Sequence, residues 1–171
     1  MNVPILALAI VLLVSGCERP DYDSPIVDQG GPVVDIAKLP DIEQTTAQMT
    51  DLMERISREV GRLVPASQPW RWHRDQQGFG CTQDSTGHRG VKRYLRNLVS
   101  DHGFSDAEWE IVFPVVRDMA FEAGLTEIAA PQNAPGNHDM RFSSDDGRVL
   151  MFGSRKASSM AGTIACRLSA A

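Results

Sequence analysis

Three thiols and four imidazoles are the side chains of this chain best suited to covalent or metal chemistry, and their spacing limits what they can do. Cys17, Cys81 and Cys166 stand far apart, with no C-x-x-C pair of the kind that holds zinc or exchanges disulfides. His73, His88, His102 and His138 show neither H-E-x-x-H nor H-x-x-E-H spacing, so exposed loop positions are the expectation for all four. The odd thiol count has its own consequence. In an oxidising compartment, one of the three cysteines needs a separate explanation.

The surroundings of Cys17 supply it. From Val3 to Val14 every residue except Pro4 is aliphatic, which fits the core of an export signal and falls short of the about 20 residues that cross a bilayer. Val14-Ser15-Gly16-Cys17 then resembles the bacterial lipobox: an aliphatic residue, two small residues that fit a signal peptidase cleft, and a cysteine whose thiol receives a diacylglyceryl group. On this reading residues 1–16 are a lipoprotein signal peptide and Cys17 is the lipidated first residue of the mature chain. Two departures stand against it: small residues before a cysteine also close ordinary export signals, and Met1-Asn2-Val3-Pro4 lacks the usual basic start. With Cys17 consumed by lipid, Cys81 and Cys166 remain as an even pair, for which a disulfide is the default and two inert buried thiols the alternative.

Other stretches hint at catalysis without completing it. Gly136-Asn137-His138-Asp139 looks like the GNHD element of metallophosphoesterases, in which Asn and His serve a two-metal centre. Its companions GDxH, GDxxD and GHxH are missing, and a turn with Gly and Asn in permissive conformations is the plainer reading. Ser100, Asp101 and His102 have the residue types of a hydrolytic triad, yet neighbours in sequence do not readily face one reacting atom and no G-x-S-x-G elbow is present. The expectation is therefore no catalytic residue, no metal and no cofactor.

Composition frames the elements that must position these residues. A chain of 171 residues, 42% hydrophobic and 23% charged, accommodates one small globular domain behind a leader. Residues 18–40 hold five acids (Glu18, Asp21, Asp23, Asp28, Asp35) against Arg19 and Lys38, so more than half of the net charge of −5 lies there. The remainder is close to neutral, which argues against a nucleic-acid partner. Four prolines and Gly30-Gly31 in that segment do not build a core, and residues 17–40 read as a lipidated cysteine with a disordered tether ahead of a domain at 41–171.

Within that domain, Met49, Leu52, Met53, Ile56, Val60 and Leu63 recur at helical spacing up to Pro65. Charged residues cover the opposite face, with Asp51 and Arg55 four apart. Trp70-Arg71-Trp72-His73 alternates as a strand, its tryptophans set for the core or for stacking a ligand, and 76–81 reads as a loop. Val91 to Val99 suits either a helix or a strand. Ser105-Asp106-Ala107-Glu108 is a capping box that starts a helix, with Trp109, Val112, Val116, Met119, Ala120 and Ala123 as its buried stripe and Gly124 as its stop. Pro114 inside it predicts a kink. Thr126 to Ala130 is a short strand, residues 131–137 a loop, and Asp146-Gly147 the centre of a type I′ hairpin that pairs Phe142 with Met151. A last strand sets Ile164, Cys166 and Leu168 together. The sum is α+β, a two-layer sandwich of two helices packed on one mostly antiparallel sheet.

The order of lipobox cysteine, tether, amphipathic helix, Trp-x-Trp strand before a cysteine, SDAEWEIVFPVVRDMAFEAGL helix and cysteine in the last strand resembles the mycobacterial LppA/LppV-type lipoproteins. The resemblance runs from about Met49 to Leu168 and implies a strand for Val91 to Val99. It implies a location and a fold rather than a reaction. The expected role is that of a lipid-anchored protein on the extracytoplasmic face of the cell membrane, a non-enzymatic binding or interaction module with an envelope protein or lipid as partner. A carrier of an apolar envelope ligand, or an envelope hydrolase whose residues the sequence does not name, are the alternatives.

Overall fold

Asp41 accepts a hydrogen bond from the Gln44 amide at 2.8 Å and starts α1 (Ile42–Leu63), which ends where Pro65 begins a 3₁₀ turn. Ile42, Met49, Leu52, Met53, Ile56 and Val60 form its buried stripe, while Asp51 and Arg55 pair at 2.8 Å on the exposed side. This computed structural model describes residues 34–170. Along the chain follow β1 (Arg71–His73), β2 (Gln77–Thr82), β3 (Arg89–Tyr94), β4 (Asn97–Ser100), α2 (Asp106–Glu122), β5 (Glu127–Ala134), β6 (Asn137–Ser143), β7 (Arg148–Ser154) and β8 (Ser158–Arg167).

The strands form one sheet in the order β1-β4-β8-β7-β6-β5, with β3 joining the free flank of β8 beyond β4 and β2 pairing with β3. Every described pairing is antiparallel. Both helices lie on one face, and the layer between is filled by Trp109, Val112, Val116, Phe142, Leu150, Phe152, Met160 and Ile164, none more than 4% exposed. Trp70 and Trp72, both half-buried, pack against the edge of this core. The fold is the expected α+β two-layer sandwich.

Several local expectations change, each for a physical reason. The segment read as a loop at 76–81 contributes β2, whose Gly78 and Gly80 hide the strand period because they add no side chain to the inner face. Val91 to Val99 is extended, as the family resemblance implied, but divided into the end of β3 and the start of β4. Residues 131–134 continue β5 rather than forming a loop, since an irregular register between Ala129 and Gln132 accommodates Pro131 on an edge strand. α2 contains Pro114 within its length, as expected.

The β6–β7 hairpin slips by one residue from its expected register. Gly147 takes φ 80° while Asp146 stays at negative φ, so the connection is not the two-residue I′ turn. Gly147 N–H donates to the Ser144 carbonyl at 2.8 Å, and Phe142 pairs with Leu150, leaving Met151 opposite Arg141. The buried face is thus Met140, Phe142, Leu150 and Phe152, with Met151 turned outward.

A similar break affects β8. Its register against β3 shifts between Val91 and Arg93, so Cys166 leaves the buried face and Arg167 takes it, fully buried. Residues 34–40, assigned to the tether by composition, pack on the fold. Ile36 is fully buried in a 3₁₀ turn, and its N–H donates to Gln83 Oε1 at 3.0 Å.

Candidate functional site

Cys17 lies outside the described residues. Cys81 and Cys166 are joined as a disulfide, with Cα atoms 5.9 Å apart. The bridge holds the β2–β3 hairpin against the end of β8 and leaves neither thiol free for chemistry.

The triad-like residues are dispersed. Ser100 Oγ donates to the Ser67 carbonyl at 2.6 Å, Asp101 pairs with Arg71 at 3.0 Å on the surface, and His102 Nε2 lies 3.2 Å from both oxygens of Glu108. That last contact belongs to the start of α2. Glu108 closes the capping box by accepting from the Ser105 N–H at 2.9 Å, and this bond, with help from the Ser105 hydroxyl and His102, holds its carboxyl below the usual range. Among the described residues no three His, Cys, Asp or Glu side chains are grouped as metal ligands.

His138 departs furthest from expectation. It is not a loop residue but the buried start of β6, its ring stacked on Trp109 with centroids 4.2 Å apart and planes 5° apart. Nδ1 lies 2.8 Å from Asn133 Oδ1 and Nε2 3.4 Å from Asp106 Oδ1, and the same Asp106 oxygen accepts the Gly136 N–H at 2.6 Å. The GNHD tetrapeptide therefore pins the β5–β6 turn onto the first turn of α2. His73 is exposed on β1, and His88 Nδ1 lies 3.3 Å from Asp35 Oδ1 at the N-terminal end of the described chain.

Two features suited to binding lie on the sheet's outer face, which neither helix covers. One is a groove of about 320 Å³ across β6, β7 and the first half of β8, floored by Met151, Gly153 and Ala161 and flanked by Asp139, Arg155 and Ser159. Partial burial pushes the Asp139 carboxyl above its usual range. The other is on the β2–β3 hairpin, where Phe79 (47% exposed) meets Tyr94 (42% exposed) edge to face at 5.8 Å. Sequence reasoning missed both. The groove residues alternate with core residues on strands read only for their buried face, and Phe79 fell in the segment read as a loop.

Among the described residues, two helices pack on one face of an antiparallel sheet and no helix covers the other, which defines an α+β sandwich. The chain belongs to the LppA family, described as a lipoprotein confined to pathogenic Mycobacterium, which matches residues 34–170. Among solved structures, the lipoprotein LppA from Mycobacterium tuberculosis is similar at 14% identity and a TM-score of 0.57, over 76% of this chain and 79% of that one. A DUF4853 family protein from Actinomyces odontolyticus is similar at 12% identity and a TM-score of 0.56, over 82% of this chain and 76% of the other. At these identities the likeness is one of fold. No curated protein matches the chain.

Proposed function

We propose that the protein is a lipid-anchored, extracytoplasmic cell-envelope lipoprotein, fastened through Cys17, that works as a non-enzymatic binding module with its outer sheet face as the contact surface. The observation that carries this reading is the pairing of a filled inner layer with an outer face that no described helix covers. A carrier of an apolar ligand needs a cavity between helices and sheet, and that layer is occupied by side chains such as Trp109, Phe142 and Phe152. The outer face instead offers a shallow groove of small residues beside charged ones, a form that suits a protein partner or an envelope headgroup at a surface.

Support for the anchor comes from the lipobox-like residues ending at Cys17 and from membership in a lipoprotein family. Among the described residues no helix is long and apolar enough to cross a membrane, so on this reading the lipid holds the protein there. Native mass spectrometry of the full-length protein from a mycobacterial host tests the binding role. A co-purified protein or lipid that is lost in Gly153→Glu, with the disulfide intact, is the expected result. Binding that survives Gly153→Glu unchanged contradicts the assignment to this face.

A further inference from the structure

The β2–β3 hairpin carries its aromatic side chains on the wrong side for the core. In its ladder Gln77 pairs with Tyr94 and Phe79 with Lys92, which places Phe79, Lys92 and Tyr94 together on the outward face. The inward face has Gly78 and Gly80 with no side chains, Val91 against the core, and Arg93 held by Glu43 at 2.8 and 2.9 Å. Lys92 Nζ lies 6.0 Å from the centre of the Phe79 ring. A ring pair that gains nothing from the core, with an ammonium beside it, is the composition of side chains that settle at a bilayer interface, rings at the level of the headgroups and cation toward phosphate.

The chain's own entry point lies on the same hairpin. Gln83 closes the turn that begins beyond Thr82, and its side chain holds the incoming segment by accepting from Ile36 N–H and donating to the Val34 carbonyl, both at 3.0 Å. Asp35 is held beside His88 at the other end of that turn, 3.3 Å away. From Gln83 to Phe79 is four strand residues, about 13 Å. Sixteen residues, 18–33, separate Cys17 from Val34. On the lipid-anchor reading, the chain arriving from Cys17 therefore joins the domain at this hairpin.

Charge points the same way. Lys92 is the cation of the outward face, while Arg89 and Arg93 share the opposite face of β3 with Val91 and Arg93 is paired there with Glu43. An ammonium beside two exposed rings suits the phosphate of a lipid headgroup. The disulfide from Cys81 to Cys166 fastens this hairpin to β8, so contact made here orients the whole sheet.

We infer that the outward face of the β2–β3 hairpin, with Phe79, Tyr94 and Lys92, rests on the anionic bilayer to which Cys17 fastens the chain. The inference depends on the lipid-anchor reading above.

The test uses the full-length lipidated protein reconstituted into phosphatidylglycerol-containing vesicles with brominated acyl chains, which quench nearby indoles. Phe79→Trp and Tyr94→Trp are compared with Ile111→Trp on α2, each against the parent protein to remove the native tryptophans. Phe79, Tyr94 and Ile111 are all exposed, so each accepts a tryptophan without repacking. The expected result is that the added emission at positions 79 and 94 is largely lost in brominated vesicles while that at position 111 is retained. Protein that floats with the vesicles but keeps its emission at 79 and 94, as when the hairpin faces a protein partner, overturns this inference alone. Equal quenching at all three positions also overturns it, since the domain then has no fixed orientation. Protein that does not float with the vesicles overturns the anchor reading and this inference together.

Discussion

Cys81 is bonded to Cys166 across the start of β3, joining two strands that do not pair with each other. The bond closes a loop over a sequence separation of 85, and a crosslink of that span stabilises by about 4–5 kcal/mol if it acts by restricting the unfolded chain. The double variant Cys81→Ser, Cys166→Ser should lose stability of that order in urea denaturation. A loss near zero would mean that the hairpin is held to β8 by its ladder alone.

Gly90 is what lets the bridge close. It sits opposite Cys81 in the ladder, and a Cβ placed there would fall 2.2 Å from the Arg167 carbonyl oxygen and 3.2 Å from Cys166 Sγ. Gly90→Ala should therefore cost at least about 1–3 kcal/mol, as overpacking against backbone does, and release titratable thiol. Gly80→Ala on the neighbouring strand meets nothing within 4 Å and should be close to neutral. Equal stability of the two variants would refute the steric argument.

Asp146 and Arg167 give the domain an acid-sensitive joint. Arg167 is fully buried, donates from Nη2 to the Asp146 backbone carbonyl at 2.5 Å, and lies 3.3 Å from the Asp146 carboxylate. Burial alone would raise the Asp146 carboxyl, but hydrogen bonds from Ser144 and Arg148 and the charges of Arg148 and Arg167 hold it below its ordinary value. An acid depressed in the folded state stabilises fully above its unfolded pKa, and that stability is lost as pH falls through the folded value. Asp146→Ala should cost about 3–5 kcal/mol at pH 7, because it strands a buried guanidinium. The gap between variant and parent should narrow below about pH 4, where the parent carboxyl begins to protonate in the unfolded state. Thermal melts of both proteins from pH 7 to pH 3 check the sign; a gap that widens on acidification contradicts it.

Gln83 fixes where the folded unit begins. Gln83→Ala removes the acceptor of the Ile36 amide and the donor to Val34. Hydrogen exchange at residues 34–38 should quicken while the middle of α1 keeps its protection. Unchanged exchange at Ile36 would show that burial of its side chain is enough to hold the segment.

The helices were readable because their signals are local. The Ser105–Glu108 box and the stripe through Trp109, Val112, Val116 and Ala120 depend only on residues a turn apart, and the structure reproduces both. The β6–β7 register was not readable. It turns on whether both Asp146 and Gly147 take positive φ or Gly147 alone does, and Asp146 is held by Arg148 and by Arg167, which comes from a strand some twenty residues later. β2 escaped notice because a strand with glycines inside and an exposed ring outside leaves no apolar alternation. His138 escaped for a related reason: its stacking partner, Trp109, comes from the helix that packs over β6. Of the binding features, Cys81 and Cys166 could be paired by counting thiols, whereas the groove and the hairpin patch exist only once strands distant in sequence are side by side.

The central claim is that Cys17 carries the lipid that places this domain at the membrane, and mass spectrometry of the mature N-terminal peptide from a mycobacterial membrane fraction tests it most directly. The account predicts a chain that begins at Cys17, without residues 1–16, bearing a diacylglyceryl adduct that Cys17→Ser abolishes along with membrane partitioning. A mature chain that retains residues 1–16, or that carries Cys17 as an unmodified thiol while still at the membrane, would contradict it.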